Sequence, residues 1–490
     1  MKTITTTQSR LSGALMLSLA QVAVLAFGYV THIIVSRELG PGPYGIYGVV
    51  LSIQTIAGLV LTLGVPAAIS KYVAQTESQA RSILATSLTI QTIIAAGVAL
   101  ATLIFAPVIS RVLGDTNFTN YIIFIAGVLF FQAFYPVYNQ FLSGMHRFNA
   151  QAGLTTLYAV AKLAGAVGLL YIFREQGVYG AFAGFAVGGI VAGIIGWYIT
   201  RNIGGTEKSS LPVKSFLAFA GMYVVTLIGL QIVMSLDLFM VKAILKDDVS
   251  AGYYNAASTL ARIPYFLLQA LSFILLPSVA KLTKPGESRK EAVQFIADVL
   301  RYLIALIVPS VAFAAATSKA LVRLFYSTDY IPAAPVLTVL IVGLGALAFY
   351  LLLANITAGA GKTKVTIAIT ALIIVISFIS GRVFIPLYGL IGAAYHTTLA
   401  SLIGFALLAI YTFRVFGIKA PVRSIVNIIV ASAVAVAPTY IWKVAPILLP
   451  LQYVVLYVIY AVVLLLLKEI TQKDTAHLKS AHPLFAKILK

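Results

Sequence analysis

The sequence predicts an all-α polytopic membrane protein of about fourteen transmembrane helices, on three observations. Of its 490 residues, 60% are hydrophobic and only 10% are charged, whereas a soluble domain carries about a quarter charged residues. The mean hydropathy is +0.99. Apolar runs of the ~20 residues needed to cross a bilayer as a helix recur along the whole length, joined by short loops.

The runs place spans at 11–35, 44–70, 83–110, 119–142, 151–173, 178–200, 214–241, 252–280, 294–317, 333–357, 364–386, 388–413, 424–443 and 447–467. Lys2 and Arg10 precede the first run, which is too long for a signal-peptide core, so it reads as a span. The charged, Gly/Ser-rich stretch "RNIGGTEKSSLPVK" marks a linker. The expected organisation is an N-terminal six-helix bundle (1–200), a cytoplasmic linker (201–213), a second six-helix bundle (214–414), two additional spans (415–467) and a basic cytoplasmic tail (468–490).

The net charge of +20 sits mostly in short loops, where it sets topology and attracts anionic headgroups rather than nucleic acid. The N-terminal side of these spans carries well over twice as many Lys and Arg as the other. The other side holds Arg37, Arg111, Arg174, Lys242, Lys246, Lys319, Arg323, Arg382 and Lys443. Both termini are therefore expected in the cytoplasm, with the chain in the cell membrane. The absence of cysteine excludes disulfides and thiolate metal sites.

Two stretches echo each other. Span two opens "YGIYGVV" and closes "GVPAAISKYV"; span eight opens "AGYYNAAS" and closes "LLPSVAKLT". Gly45 and Tyr47 answer Gly252 and Tyr254, and Pro66 with Lys71 answers Pro277 with Lys281. The offset of six spans is even and keeps both copies in one orientation, so the bundles are expected to be parallel repeats about a pseudo-two-fold along the membrane normal. Transporters build central sites between such repeats.

Two motifs imitate nucleotide sites and fail on inspection. "ITAGAGKTK" (356–364) lacks the first glycine of a P-loop, since Ile356 stands there, and it joins two membrane spans without a strand. It reads as a tight turn. "GPGPYG" (40–45) matches the dinucleotide fingerprint in letters only, because Pro41 and Pro43 delete two of the backbone donors that would face a pyrophosphate. The five histidines are scattered and no hydrolase or metalloprotease signature occurs. Neither an enzyme nor a cofactor is expected.

The informative residues are charges where charge is expensive, about 2.5–3.5 kcal/mol at a helix centre on insertion scales. Lys162 lies mid-span on a polar face with Thr155, Tyr158 and Gly165. Arg262 lies on a stripe of Tyr254, Ser258, Tyr265, Gln269 and Ser272 along span eight, and span one carries Arg10, Ser18, Gln21, Gly28 and His32. Three helices with wet faces imply an aqueous interior. In the packing alternative the two cations pair with carboxylates, Asp237 being the obvious partner for Arg262. Arg37 with Glu38 either joins the site or caps its helix; Arg301 either joins it or snorkels to the cytoplasmic edge.

"RELGPGPYGIYG" after span one, "GMHRF" between spans four and five, and "DLFMVKAILKDDVSAGYYNAASTLARIP" with "LLPSVAKL" across spans seven and eight resemble the polysaccharide flippases. These form a branch of the multidrug/oligosaccharidyl-lipid/polysaccharide exporter superfamily, and the likeness covers nearly the whole chain. It implies two six-helix bundles with two extra C-terminal helices, and a basic central cavity that turns over lipid-linked oligosaccharides by alternating access. The chain is less similar to the lipid II flippases, whose acidic and aromatic motif after the first turn is replaced by Pro-Tyr-Gly-Ile-Tyr-Gly; Arg10 and Arg262 answer the cavity arginines of that relative. The expected function is movement of a polyprenyl-(pyro)phosphate-linked glycan from the cytoplasmic to the outer leaflet. Arg262, Lys162, Arg10, Arg37, Arg301, Tyr254, Ser258, Tyr265, Gln269, Gln21 and His32 would bind substrate, and Asp237 would couple or ion-pair. The expected partners are the lipid-linked glycan, membrane lipids, and glycosyltransferases or a polymerase of the same pathway, around a monomer. The runner-up is a cation-coupled drug exporter, which needs carboxylates inside the membrane; Asp237 against Lys162 and Arg262 gives the field the wrong sign. A structural scaffold or receptor would leave the polar stripes unexplained.

Overall fold

The computed structural model describes residues 2–205, 207, 213–268, 279, 286–418 and 422–469, and among them there is helix but no strand. Eleven of the helices are long and apolar enough to cross a membrane. Gln269, Ser272, Pro277, Lys281 and the tail from 470 lie outside the described residues, as does most of the expected linker. The expected count of fourteen therefore includes a span, 252–280, that is described only as helix over Asp248–Ala261 and 263–268.

The chain packs as two compact units, 1–255 and 256–490. The first contains α1 (Lys2–Leu39), α2 (Pro41–Leu59), α3 (Val65–Gln75), α4 (Ala80–Val112), α5 (Phe118–Gln132), α6 (Tyr135–Gly144), α7 (Phe148–Ile172), α8 (Gly177–Thr200), α9 (Val213–Leu245) and the start of α10 (Asp248–Ala261). Expected spans two and four are each interrupted. A π-helical turn over Val60–Gly64 joins α2 to α3, ahead of Pro66, and α5 gives way to α6 ahead of Pro136. Each proline removes an N–H and so strands carbonyls in a bilayer that offers no water. One buried side chain answers both breaks: the Gln91 amide donates to the Leu61 carbonyl at 2.9 Å and to the Ala133 carbonyl at 2.7 Å. Leu61, Ala95, Leu129 and Ala133 close the apolar core around it.

In the second unit, Thr363–Phe416 is helical on both sides of Gly389, whose backbone is not. A straight helix would separate Ser377 from His396 by nearly 30 Å at 1.5 Å per residue, yet their side chains are hydrogen-bonded at 3.1 Å. The chain therefore doubles back at Gly389 (φ 58°, ψ −136°), and the two expected spans 364–386 and 388–413 are the arms of a hairpin. Elsewhere in this unit, Phe313 packs with Ile428, Ala431, Leu456 and Tyr460. The "ITAGAGKTK" stretch is a turn closed by Gly361 N–H to Ala358 and Lys362 N–H to Thr357, both 2.9 Å, with no strand before it.

Candidate functional site

The Gly45/Gly252 echo becomes a physical contact within the first unit. A Cβ placed on Gly45 would overlap the Asp248 carbonyl, and one on Gly252 would overlap the Pro41 carbonyl. Each glycine thus faces the carbonyl four residues ahead of the other. Gly48, one turn on, abuts the Asn255 amide in the same way. The first turns of α2 and α10 cross backbone to backbone, and only glycine permits that approach. The reciprocity is what a local two-fold between the two repeats requires.

A charge cluster sits beside the crossing. Lys242, near the end of α9, is 1% exposed. Its ammonium bonds Asp115 at 3.0 Å and Asp248 at 2.6 Å and lies 4.9 Å from the Phe118 ring centroid. Burial pushes the Asp115 carboxyl up, but the Lys242 hydrogen bond, the Asn117 backbone N–H and the Lys242 charge outweigh it, leaving the group below its ordinary 3.8. Sequence reading missed Lys242 because a lysine at a span end looks like an ordinary topology signal. A turn deeper, Tyr254 is fully buried and its hydroxyl donates to Asp237 at 2.7 Å.

A second, half-buried lysine has a different setting. Lys162, midway along α7, presses its backbone and Cβ against Gly188 of α8. Its ammonium lies 4.9 Å from the Phe185 ring centroid and 5.9 Å from that of Tyr158, and no carboxylate pairs with it among the described residues. The rings around it form a connected series. Phe185 meets Phe182, Phe182 meets Tyr47, and Tyr47 stacks on Tyr44. His32 stands edge-on to both tyrosines, its Nδ1 2.9 Å from the Tyr44 hydroxyl. On the far side Tyr158 stacks on Tyr135 at 4.4 Å, and Tyr135 accepts from Asn139, which also donates to Thr155. The fold thus gathers two expected site residues, Lys162 and His32, onto one aromatic face.

The remaining expected residues are more dispersed. Arg262 stands in the second unit where α10 gives way, two residues ahead of Pro264. Its N–H still bonds the Ser258 carbonyl and its carbonyl accepts from Phe266. Ser258 is buried, and Tyr265 is half-buried beside Phe266. Arg301 bonds Glu469, through Nε to the carboxylate at 3.0 Å and Nη2 to the carbonyl at 2.6 Å. Asn427 donates to the same carboxylate. Arg301 is thus held in an ion pair with Glu469. Arg37 and Gln21 are exposed, and Arg10 falls on α1 with its side chain outside the described residues.

The model of the family described as "Polysaccharide biosynthesis protein" matches residues 11–283. The chain belongs to that family. Among curated relatives it is 24% identical over 304 residues to the stage V sporulation protein B of Bacillus subtilis, covering 56% of this chain and 58% of the relative. The match thus spans rather more than half of that relative's length. Among solved structures, the fold is similar to that of the lipid II flippase MurJ in an inward closed conformation, with TM-score 0.74 and 16% identity over 92% of this chain and 98% of the other. It is also similar to an inward-facing multidrug resistance MATE family transporter of the MOP superfamily, with TM-score 0.63 and 15% identity over 82% and 98%. The resemblance to a polysaccharide family read from the motifs holds, and the fold is similar to those of a flippase and a multidrug transporter.

Proposed function

We propose that this polysaccharide biosynthesis family member flips a polyprenyl-(pyro)phosphate-linked oligosaccharide from the cytoplasmic to the outer leaflet by alternating access through a basic cavity. The observation that carries the reading is Lys162: a half-buried ammonium among aromatic rings, with no carboxylate partner among the described residues. A lone cation in hydrocarbon is costly, and it is compensated whenever an anionic phosphate arrives. Arg262 supplies the second charge in this reading. The tyrosines around Lys162 offer ring faces and hydroxyls to sugar, while the polyprenyl tail stays in lipid. The family's role in polysaccharide biosynthesis and the flippase fold support the same assignment.

The MATE-like fold supports a second reading, export of cationic compounds, for which Asp237 is the available carboxylate. One experiment separates them. Purified protein in vesicles is supplied with a fluorescent polyprenyl-pyrophosphate oligosaccharide or with a cationic dye, with and without proton and sodium gradients. Translocation of the lipid-linked glycan without dye movement is the expected result; gradient-driven dye export without glycan movement would replace the flippase by the exporter.

A further inference from the structure

The second unit contains a cavity that the transport reading does not use. It has a volume of about 300 Å³ and lies where the helix Glu287–Ala316 ends, between the eight-residue helix Ser318–Phe325 and the segment joining Val422–Ile441 to Leu449–Leu466. Lys319 and Arg323, four residues apart and so on one face of the short helix, line it from one side, and Lys443 with Trp442 from the other. No carboxylate pairs with any of these three cations among the described residues. The walls are held firmly: the Gln452 amide donates to the Trp442 carbonyl at 2.7 Å, and Thr317 is hydrogen-bonded to Tyr453 at 2.7 Å. In the topology expected from the positive-inside count all three cations lie on the outer face, where few Lys and Arg occur. Three cations converging on one cavity on the charge-poor side are not accounted for by topology.

We infer that this cavity binds a phosphate group at the outer membrane interface. Two cations on a helix face and a third on an opposing loop can contact separate oxygens of one tetrahedral anion, and arginine adds a bidentate fork. The surroundings favour a phosphate attached to a hydrocarbon. Tyr440, Ile441 and Ile447, next in sequence to the lining residues Thr439, Trp442 and Pro446, are 75%, 91% and 74% exposed, an apolar apron beside a tryptophan, the residue type enriched at membrane interfaces. A lipid phosphate seated on the cations would lay its chains against that apron, whereas free phosphate would leave it without a role.

The chain has two tryptophans, so Trp197→Phe leaves Trp442 as a reporter inside the cavity. The single-tryptophan protein is placed in phosphatidylcholine nanodiscs of rising phosphatidylglycerol content, or in pure phosphatidylcholine with inorganic pyrophosphate added. The expected result is a saturable change in Trp442 emission with phosphatidylglycerol. The combined Lys319→Gln, Arg323→Gln and Lys443→Gln variant weakens it by at least about tenfold. Arg382→Gln, which alters a cation outside the cavity, leaves it intact. A response to pyrophosphate of equal or greater strength assigns the same cations to a free anion and overturns the lipid source. A triple-Gln variant that melts like the parent and titrates identically, or a parent that responds to neither anion, overturns the site.

Discussion

Two lysines of the first unit, the buried Lys242 and the half-buried Lys162, show how differently one fold can treat the same side chain. Lys242 has two carboxylates within 3.0 Å and an aromatic ring beside them. Lys162 has the aromatic rings and no carboxylate among the described residues. A buried ammonium with its counter-charges in place is satisfied in the resting protein and holds elements together. An ammonium with only ring faces remains available to an anion from outside. The first is a structural clamp, tying the loop after α4 to the start of α10 beside the glycine crossing. In the proposed reading the second is the binding group.

The sharpest break of the comparison is Lys242→Ala. Removing one member of a buried cluster leaves uncompensated charge and costs about 3–5 kcal/mol. The lower end applies here because the Asp115 and Asp248 side chains remain 22% and 33% exposed. A fall in melting temperature should follow, with partial rescue when Asp115→Asn and Asp248→Asn are added. An unchanged melting temperature would remove the clamp from the account. Next in size is Gly252→Ala, whose methyl group would meet the Pro41 carbonyl. Overpacking of this kind costs about 1–3 kcal/mol, and the paired Gly45→Ala should behave alike because the contact is reciprocal. A large difference between the two would argue against the local two-fold.

A smaller effect follows from pH. The Asp115 carboxyl is held below 3.8 in the folded chain, so its contribution is present above that ordinary value and is lost as pH falls through the lower, folded one. Melting curves of the parent should show an acid limb that begins below about pH 4. That limb should shrink in Lys242→Met, where no ammonium holds the carboxyl down. An identical limb in the variant would assign acid sensitivity elsewhere.

Much of this fold could be read from the residues. Apolar run length locates most of the described spans, and the boundary between 364–386 and 388–413 falls beside Gly389, where the chain reverses. Lys162 could be found because a charge in mid-run has no ordinary explanation. Lys242 could not, since its partner Asp115 comes from a loop 127 positions earlier and nothing local announces the pairing. Arg301 looked like an interfacial cation for the same reason, its partner Glu469 being 168 positions away. The Gly45/Gly252 echo was visible as a repeat, but letters alone do not say that the two glycines touch. The aromatic series linking His32 to Lys162 draws on four helices. Its members are individually unremarkable as Tyr and Phe in apolar runs.

The central claim, that Lys162 is a binding cation rather than a packing residue, is tested by measuring transport and melting temperature together for Lys162→Met and Lys162→Arg in reconstituted vesicles supplied with a lipid-linked oligosaccharide. Methionine keeps the unbranched apolar stem and removes a charge that has no carboxylate partner among the described residues. The expected result for Lys162→Met is a melting temperature unchanged or raised and transport reduced at least about tenfold, from the loss of one charge-assisted contact. Arginine should retain part of the transport. Transport by Lys162→Met at the parent rate, or a melting temperature that falls in step with transport, would contradict it.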